Sequence, residues 1–78
     1  MDISNQIKTR REAMGLSQEQ LAEKLYVSRQ TISNWERDKT YPDVQSLLML
    51  SVLFDTSIDT LVKGDVTVME EAVDRDRK

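Results

Sequence analysis

Only two glycines and one proline punctuate this chain of 78 residues, and helix-start signals recur at short intervals along it. Gly and Pro interrupt helices most forcefully. A chain with so few of them, and with helical apolar periodicity almost throughout, is expected to fold as a compact all-α bundle of five short helices. Ile3, Ile7 and Met14 fall on one stripe of a first helix, flanked by Arg10 and Arg11. Gly15 stands where that helix would end in a left-handed cap. Ser17, with Gln20 three residues on, reads as a capping box for a second helix that turns Leu21, Ala22 and Leu25 inward. Tyr26 and Val27 bridge to Ser28, the N-cap of a third helix running to about Arg37. A loop over Asp38 to Tyr41 precedes Pro42-Asp43, which opens a fourth helix with Pro in its first turn. The expected inward stripe of that helix is Val44, Leu47, Leu48, Ser51 and Phe54. Asp55 tolerates a left-handed conformation, Ser57 caps a fifth helix carrying Ile58, Leu61 and Val62, and Gly64 closes the compact part. One core is expected to gather Leu21, Leu25, Ile32, Trp35, Leu47, Leu48 and Phe54.

The organisation is therefore one domain over residues 1–64, followed by a polar segment, 65–78. In that segment Val66, Met69 and Val73 share a helical face, ahead of the mixed-charge run from Asp74 to Lys78. It reads either as a fraying tail or as a short amphipathic helix that dimerises or leads to a further domain. A chain of this size buries roughly 60% of its unfolded surface, enough for one core but not for a deep catalytic cavity. With no Cys it needs no disulfides and suits a reducing compartment. No apolar run approaches the ~18 residues of a membrane span, and Met1 to Arg11 lacks the apolar stretch of a signal peptide. A soluble, cytoplasmic protein without membrane contact is the expectation.

Catalytic chemistry that depends on His or Cys is excluded on residue types. The chain has neither His nor Cys, so imidazole bases, thiol nucleophiles and His/Cys metal sites are absent. Glu70-Glu71 lies in the polar segment, where a solvated face is the simpler reading, and no Gly-rich phosphate loop exists. No enzyme activity, metal or cofactor is implied.

The informative stretch runs from Gln18 to Trp35. Two short helices joined by about three residues need a small residue where their axes cross, and Ala22 supplies it. Leu21, Leu25, Val27, Ile32 and Trp35 can lock the pair together. With the strings Gly15-Leu16-Ser17-Gln18-Glu19-Gln20-Leu21-Ala22 and Val27-Ser28-Arg29-Gln30-Thr31-Ile32-Ser33-Asn34-Trp35-Glu36, and with Pro42-Asp43 opening an apolar helix, the chain resembles the phage-repressor and Cro-like helix-turn-helix family, also called the xenobiotic response element family. The resemblance covers roughly residues 3 to 64. It departs from the family pattern at Tyr26, where Gly is usual because that position often takes a positive φ, and at Asp55, another frequent Gly.

With Ile32 and Trp35 turned inward, Gln30, Asn34 and Arg37 point outward at 100° per residue, and Arg29 lies at the helix start that enters a major groove first. Arg grips guanine bidentately and Gln or Asn grips adenine, so Arg29, Gln30 and Asn34 are the candidate base readers. The plain alternative is a solvated polar face. The resemblance implies that Gln18 donates to a backbone phosphate, where a capping role is the alternative, and that Lys39 and Thr40 meet flanking phosphates. Ser28, Thr31, Ser33 and Arg37 complete the candidate phosphate and flanking set. Glu36 falls beside the inward stripe, and the resemblance pairs it with Arg11 in a structural salt bridge; Arg10 has no evident partner.

The charge distribution tempers the DNA reading without removing it. Of the net charge of −3, residues 1–42 carry +1 and residues 43–78 carry −4, so the acidic half can face away from a polyanion. The expected partner is double-stranded DNA with a palindromic operator, bound by a homodimer of a transcriptional repressor. The alternative is a protein-interaction helix-turn-helix module with a toxin or anti-repressor as partner. It rests on Met49 and Val52, expected on the outer face of the fourth helix.

Overall fold

The structure is a computed structural model that describes residues 1–66. Four helices are bounded as α1, Ile3–Ala13; α2, Gln18–Leu25; α3, Arg29–Glu36; and α4, Val44–Leu53. A fifth, α5, covers residues 58–66 of the described chain. Local chemistry sets most of the boundaries. Gly15 takes a φ of +70° just after α1. Ser17 and Gln20 exchange both hydrogen bonds of a capping box, with Gln20 N donating to Ser17 Oγ at 3.0 Å and Ser17 N donating to Gln20 Oε1 at 2.8 Å. Ser28, Asp43 and Ser57 each accept a backbone N–H three residues on, from Thr31, Ser46 and Thr60. The hydrogen bonds from Ser46 hold the exposed Asp43 carboxyl below its ordinary pKa.

The core joins Ile3 and Ile7 of α1, Leu21, Ala22 and Leu25 of α2, Ile32 and Trp35 of α3, Leu50 of α4, Phe54, and Leu61 of α5. Leu16, Val27, Leu47, Met49, Leu53 and Val62 pack around it, half-buried. α3 rests on both α1 and α2, and α4 touches α2.

Several expectations are corrected. On α4, Val44 and Leu48 face outward, 72% and 51% exposed, while Leu50, absent from the expected core, is fully buried. Val52 is exposed as expected, but Met49 packs against the core. The reason is that the ten residues of α4 include no charged side chain and only Gln45, Ser46 and Ser51 are polar. A helix apolar on all sides carries no phase information. Met14 is exposed because α1 ends at Ala13 and Met14 is its cap, so the stripe through Ile3 and Ile7 stops before reaching it. Pro42 is buried and sits one residue before the N-cap Asp43, outside the first helical turn. The helix does not stop at Gly64: it continues through Asp65, which is buried, to the exposed Val66. Met69 and Val73, the rest of that expected stripe, lie outside the described residues.

The revised phase of α4 has a direct test. Leu50→Ala is expected to cost about 2–5 kcal/mol by leaving a core cavity, whereas Leu48→Ala on the open face should change stability by about 0.5 kcal/mol. Urea unfolding of the two variants measures the contrast, and equal losses would restore the original stripe.

Candidate nucleic-acid interface

α3 is anchored on one side and open on the other. Ile32 and Trp35 are buried, while Arg29 and Gln30 are exposed and Asn34 is half-buried. Gln30 and Asn34 are one helical turn apart, and Gln30 Nε2 donates to Asn34 Oδ1 at 3.0 Å. Two amide side chains tied in this way lose rotamer freedom before meeting any partner, and each keeps further donors and acceptors. Ser28, besides capping α3, shares a hydrogen bond of 2.9 Å with the Thr31 hydroxyl. Thr31 and Ser33 are half-buried, and Arg37, the C-cap, is exposed. The exposed Lys39 and Thr40 follow in a loop whose amides both donate to the carbonyl of Asn34, at 2.9 and 3.4 Å. Asn34 thus serves the outer face with its side chain and the loop with its backbone.

The turn between α2 and α3 places Tyr26 at φ 58°, ψ 38°, a left-handed cap with its ring 89% exposed. A Cβ makes that conformation cost roughly 1–2 kcal/mol. Pointing the ring into solvent avoids any further clash.

Behind α3, Arg11 and Glu36 meet in a two-pronged pair. Nε donates to Oε2 at 2.7 Å and an Nη to Oε1 at 3.0 Å. The other Nη of Arg11 donates to the carbonyl of Leu16 at 2.8 Å, and Gln18 Nε2 donates to Glu36 Oε1 at 3.2 Å. The two charged side chains are 12% and 4% exposed. The hydrogen bond to Glu36 raises the pKa of the Arg11 guanidinium above its usual value, against the opposing effect of burial. Gln18, a phosphate candidate from sequence, therefore also braces α2 against the end of α3. Arg10 lies apart from this cluster and its Nε donates to Gln6 Oε1 at 3.0 Å.

Sequence reasoning missed a second polar cluster. The buried Asp65 carboxylate accepts the backbone N–H groups of Asp2 and Ile3, the latter at 3.2 Å, and the Tyr41 hydroxyl at 2.9 Å. The Met1 ammonium donates to Asp38 Oδ2 at 2.6 Å. Burial and the bond to Asp65 push the Tyr41 phenol well above its ordinary pKa, and the Asp38 hydrogen bond raises that of the ammonium. No local pattern announces this cluster, because its members come from the start of the chain, the loop after α3 and α5.

The family model described as helix-turn-helix matches residues 7–61. The chain belongs to the helix-turn-helix family. Within it, the chain falls with the phage-repressor and Cro-like group and has the lambda-repressor-like fold. It is 45% identical over 65 residues to the HTH-type transcriptional activator BcrR of Enterococcus faecalis, covering 83% of this chain and 32% of that protein. It is 37% identical over 65 residues to the repressor protein C2 of Salmonella phage P22, covering 83% and 30%. The chain thus spans about a third of the length of these curated relatives. Among solved structures, the P22 c2 repressor in complex with a synthetic operator superposes with a TM-score of 0.76 at 36% identity, over 82% of this chain and 97% of that one. The biofilm regulator SinR in complex with DNA superposes with a TM-score of 0.70 at 36% identity, over 77% and 97%. The curated relatives are named as regulators of transcription, not as enzymes. No described helix of this helix-turn-helix domain is long and apolar enough to cross a membrane.

The Arg11–Glu36 pair should behave as a buried unit. Glu36→Ala leaves the guanidinium without its counter-charge and is expected to cost up to about 3–5 kcal/mol, the figure for a fully buried pair, whereas replacing both members with apolar residues of similar volume should recover much of that loss. A double-mutant cycle by urea denaturation checks this. Additive losses would mean that the two side chains act independently.

Proposed function

We propose that this chain binds double-stranded DNA sequence-specifically by laying α3 in the major groove, and that it acts as a cytoplasmic transcriptional repressor. The observation that carries the reading is the placement of Arg29, Gln30 and Asn34 on the open side of a helix whose other side is locked by Ile32, Trp35 and the Glu36–Arg11 pair. Rigid mounting matters because a bidentate base contact tolerates little angular error. The similarity to P22 c2 and SinR, both solved with DNA, supports it.

In this reading Arg29, Gln30 and Asn34 meet base edges. Gln18, Ser28, Thr31, Ser33, Arg37, Lys39 and Thr40 hold phosphates and set register without specifying sequence. The first amides of α2 add a weak positive pole beside Gln18. Two copies sit on a palindromic operator, since one module of this size covers too few base pairs for useful selectivity. Half-site centres then lie about 34–36 Å apart, one turn of the duplex.

Selection from a random duplex pool tests the reading as a whole. A palindrome is expected, and failure to enrich any sequence would refute it. Arg29→Ala is expected to keep its melting temperature and salt-sensitive residual binding, and to lose about 1–3 kcal/mol of discrimination at one guanine per half-site. Single-base operator variants, titrated at two salt concentrations, measure this. A uniform loss with the preferred site unaltered would make Arg29 a phosphate contact instead.

A further inference from the structure

The loop over residues 37–41 follows α3 directly, and three ties hold it. Its near side hangs from the Asn34 carbonyl through the amides of Lys39 and Thr40. Asp38, at its apex, takes a left-handed φ of 58° and accepts from the Met1 ammonium. Its far side ends at Tyr41, whose hydroxyl donates to Asp65. Pro42, next in the chain, is buried.

Asp65 has more to do than hold Tyr41. It is 1% exposed, and an unpaired carboxylate at that depth would be strongly destabilising. Its two oxygens instead accept from Asp2 N, Ile3 N and Tyr41 Oη. The first two donors are the opening amides of α1, whose own N-cap residue, Asp2, supplies no side-chain cap. Asp65 therefore caps α1 from the other end of the domain, where the positive pole of the helix favours an anion. The fit is close. A Cβ at Gly64 would lie 2.9 Å from Oδ2 and 3.1 Å from Cβ of Asp2, so a side chain there would require the exposed Asp2 side chain to shift.

We propose that Asp65, through the hydrogen bond it accepts from Tyr41, forms a brace that sets the conformation of loop 37–41, which makes Asp65 and Tyr41 positioning residues for the phosphate contacts of Lys39 and Thr40. The proposal rests on the DNA-binding reading above. Neither Asp65 nor Tyr41 touches DNA in this account; they act through the loop. The brace also ties α5 to the loop, so a change that draws Asp65 away loosens Lys39 and Thr40 without altering α3.

Tyr41→Phe isolates the tie, because it removes one hydroxyl and leaves Asp65 its two backbone donors. Two measurements on the full chain separate the outcomes. Without DNA, hydrogen exchange of the Lys39 and Thr40 amides should accelerate about three- to ten-fold relative to wild type, the scale of one lost hydrogen bond. With the selected operator, affinity should fall by a similar factor for every single-base variant. The slope of log affinity against log salt should also become shallower by about 0.9 for a lost phosphate contact. Base preference should stay unchanged. Unaltered exchange overturns the brace, whether or not the protein binds DNA. Faster exchange with wild-type affinity and slope overturns the loop's part in binding. Asp65→Asn is the second variant: it should reproduce the exchange effect and also lower the melting temperature through α1, and normal exchange in it would equally overturn the proposal.

Discussion

The orientation of α3 depends on one largely buried ion pair, Arg11 with Glu36. Ile3, Ile7 and Arg11 are successive members of the same stripe of α1, and Ile32 and Glu36 are successive members of the same stripe of α3. Both stripes begin as core and end on a charge, and the two charges meet. An ion pair at such depth is stable only when its remaining polar atoms are also served. Here the spare Arg11 donor reaches the Leu16 carbonyl, and Gln18 adds a donor to Glu36. No buried side-chain polar atom among the described residues lacks a partner. The pair thus joins α1, the turn after it, the start of α2 and the end of α3 through directional bonds. Apolar contacts would hold these parts together but leave the rotation of α3 less strictly defined.

The turns around this centre are managed with few glycines. Four described residues take a positive φ, and only Gly15 among them lacks a side chain. Tyr26, Asp38 and Asp55 hold the same conformation at the ends of α2, α3 and α4. Asp tolerates it because a short polar side chain can bond locally, and Asp38 also gains the Met1 ammonium as a partner. Tyr26 has no such compensation in its exposed ring. Its left-handed backbone is imposed by the close connection between two helices that must both reach the core.

α4 shows the opposite balance. Its caps are well defined, with Asp43 accepting from Ser46 N at 2.8 Å, but its composition does not say which face is inside. Leu50 is buried while Val44, Leu48 and Val52, spaced one turn apart, form an outer apolar stripe. Burying either stripe gives a similar transfer free energy. Leu50 shares its side of the helix with Phe54 four residues on, and both turn into the core.

The sequence by itself determined where α2, α3, α4 and α5 begin and where α1 stops, because caps are local: Ser17 with Gln20, Ser28, Asp43, Ser57 and Gly15 act within a few residues of themselves. It also determined which side of α3 is open, since Ile32 and Trp35 stand against a polar Gln30 and Asn34, and a mixed helix has a readable phase. Tertiary structure decided the rest. It chose the buried face of α4, where every face is apolar and the period carries no contrast. It carried the helix through Gly64 and made Asp65 a cap for α1. Those partners lie more than sixty residues apart in sequence, and long-range hydrogen bonds of this kind leave no periodic or spacing signal in the chain. Local chemistry is written in neighbours, whereas the clasp between Asp65 and the start of α1 exists only once the core has brought them together.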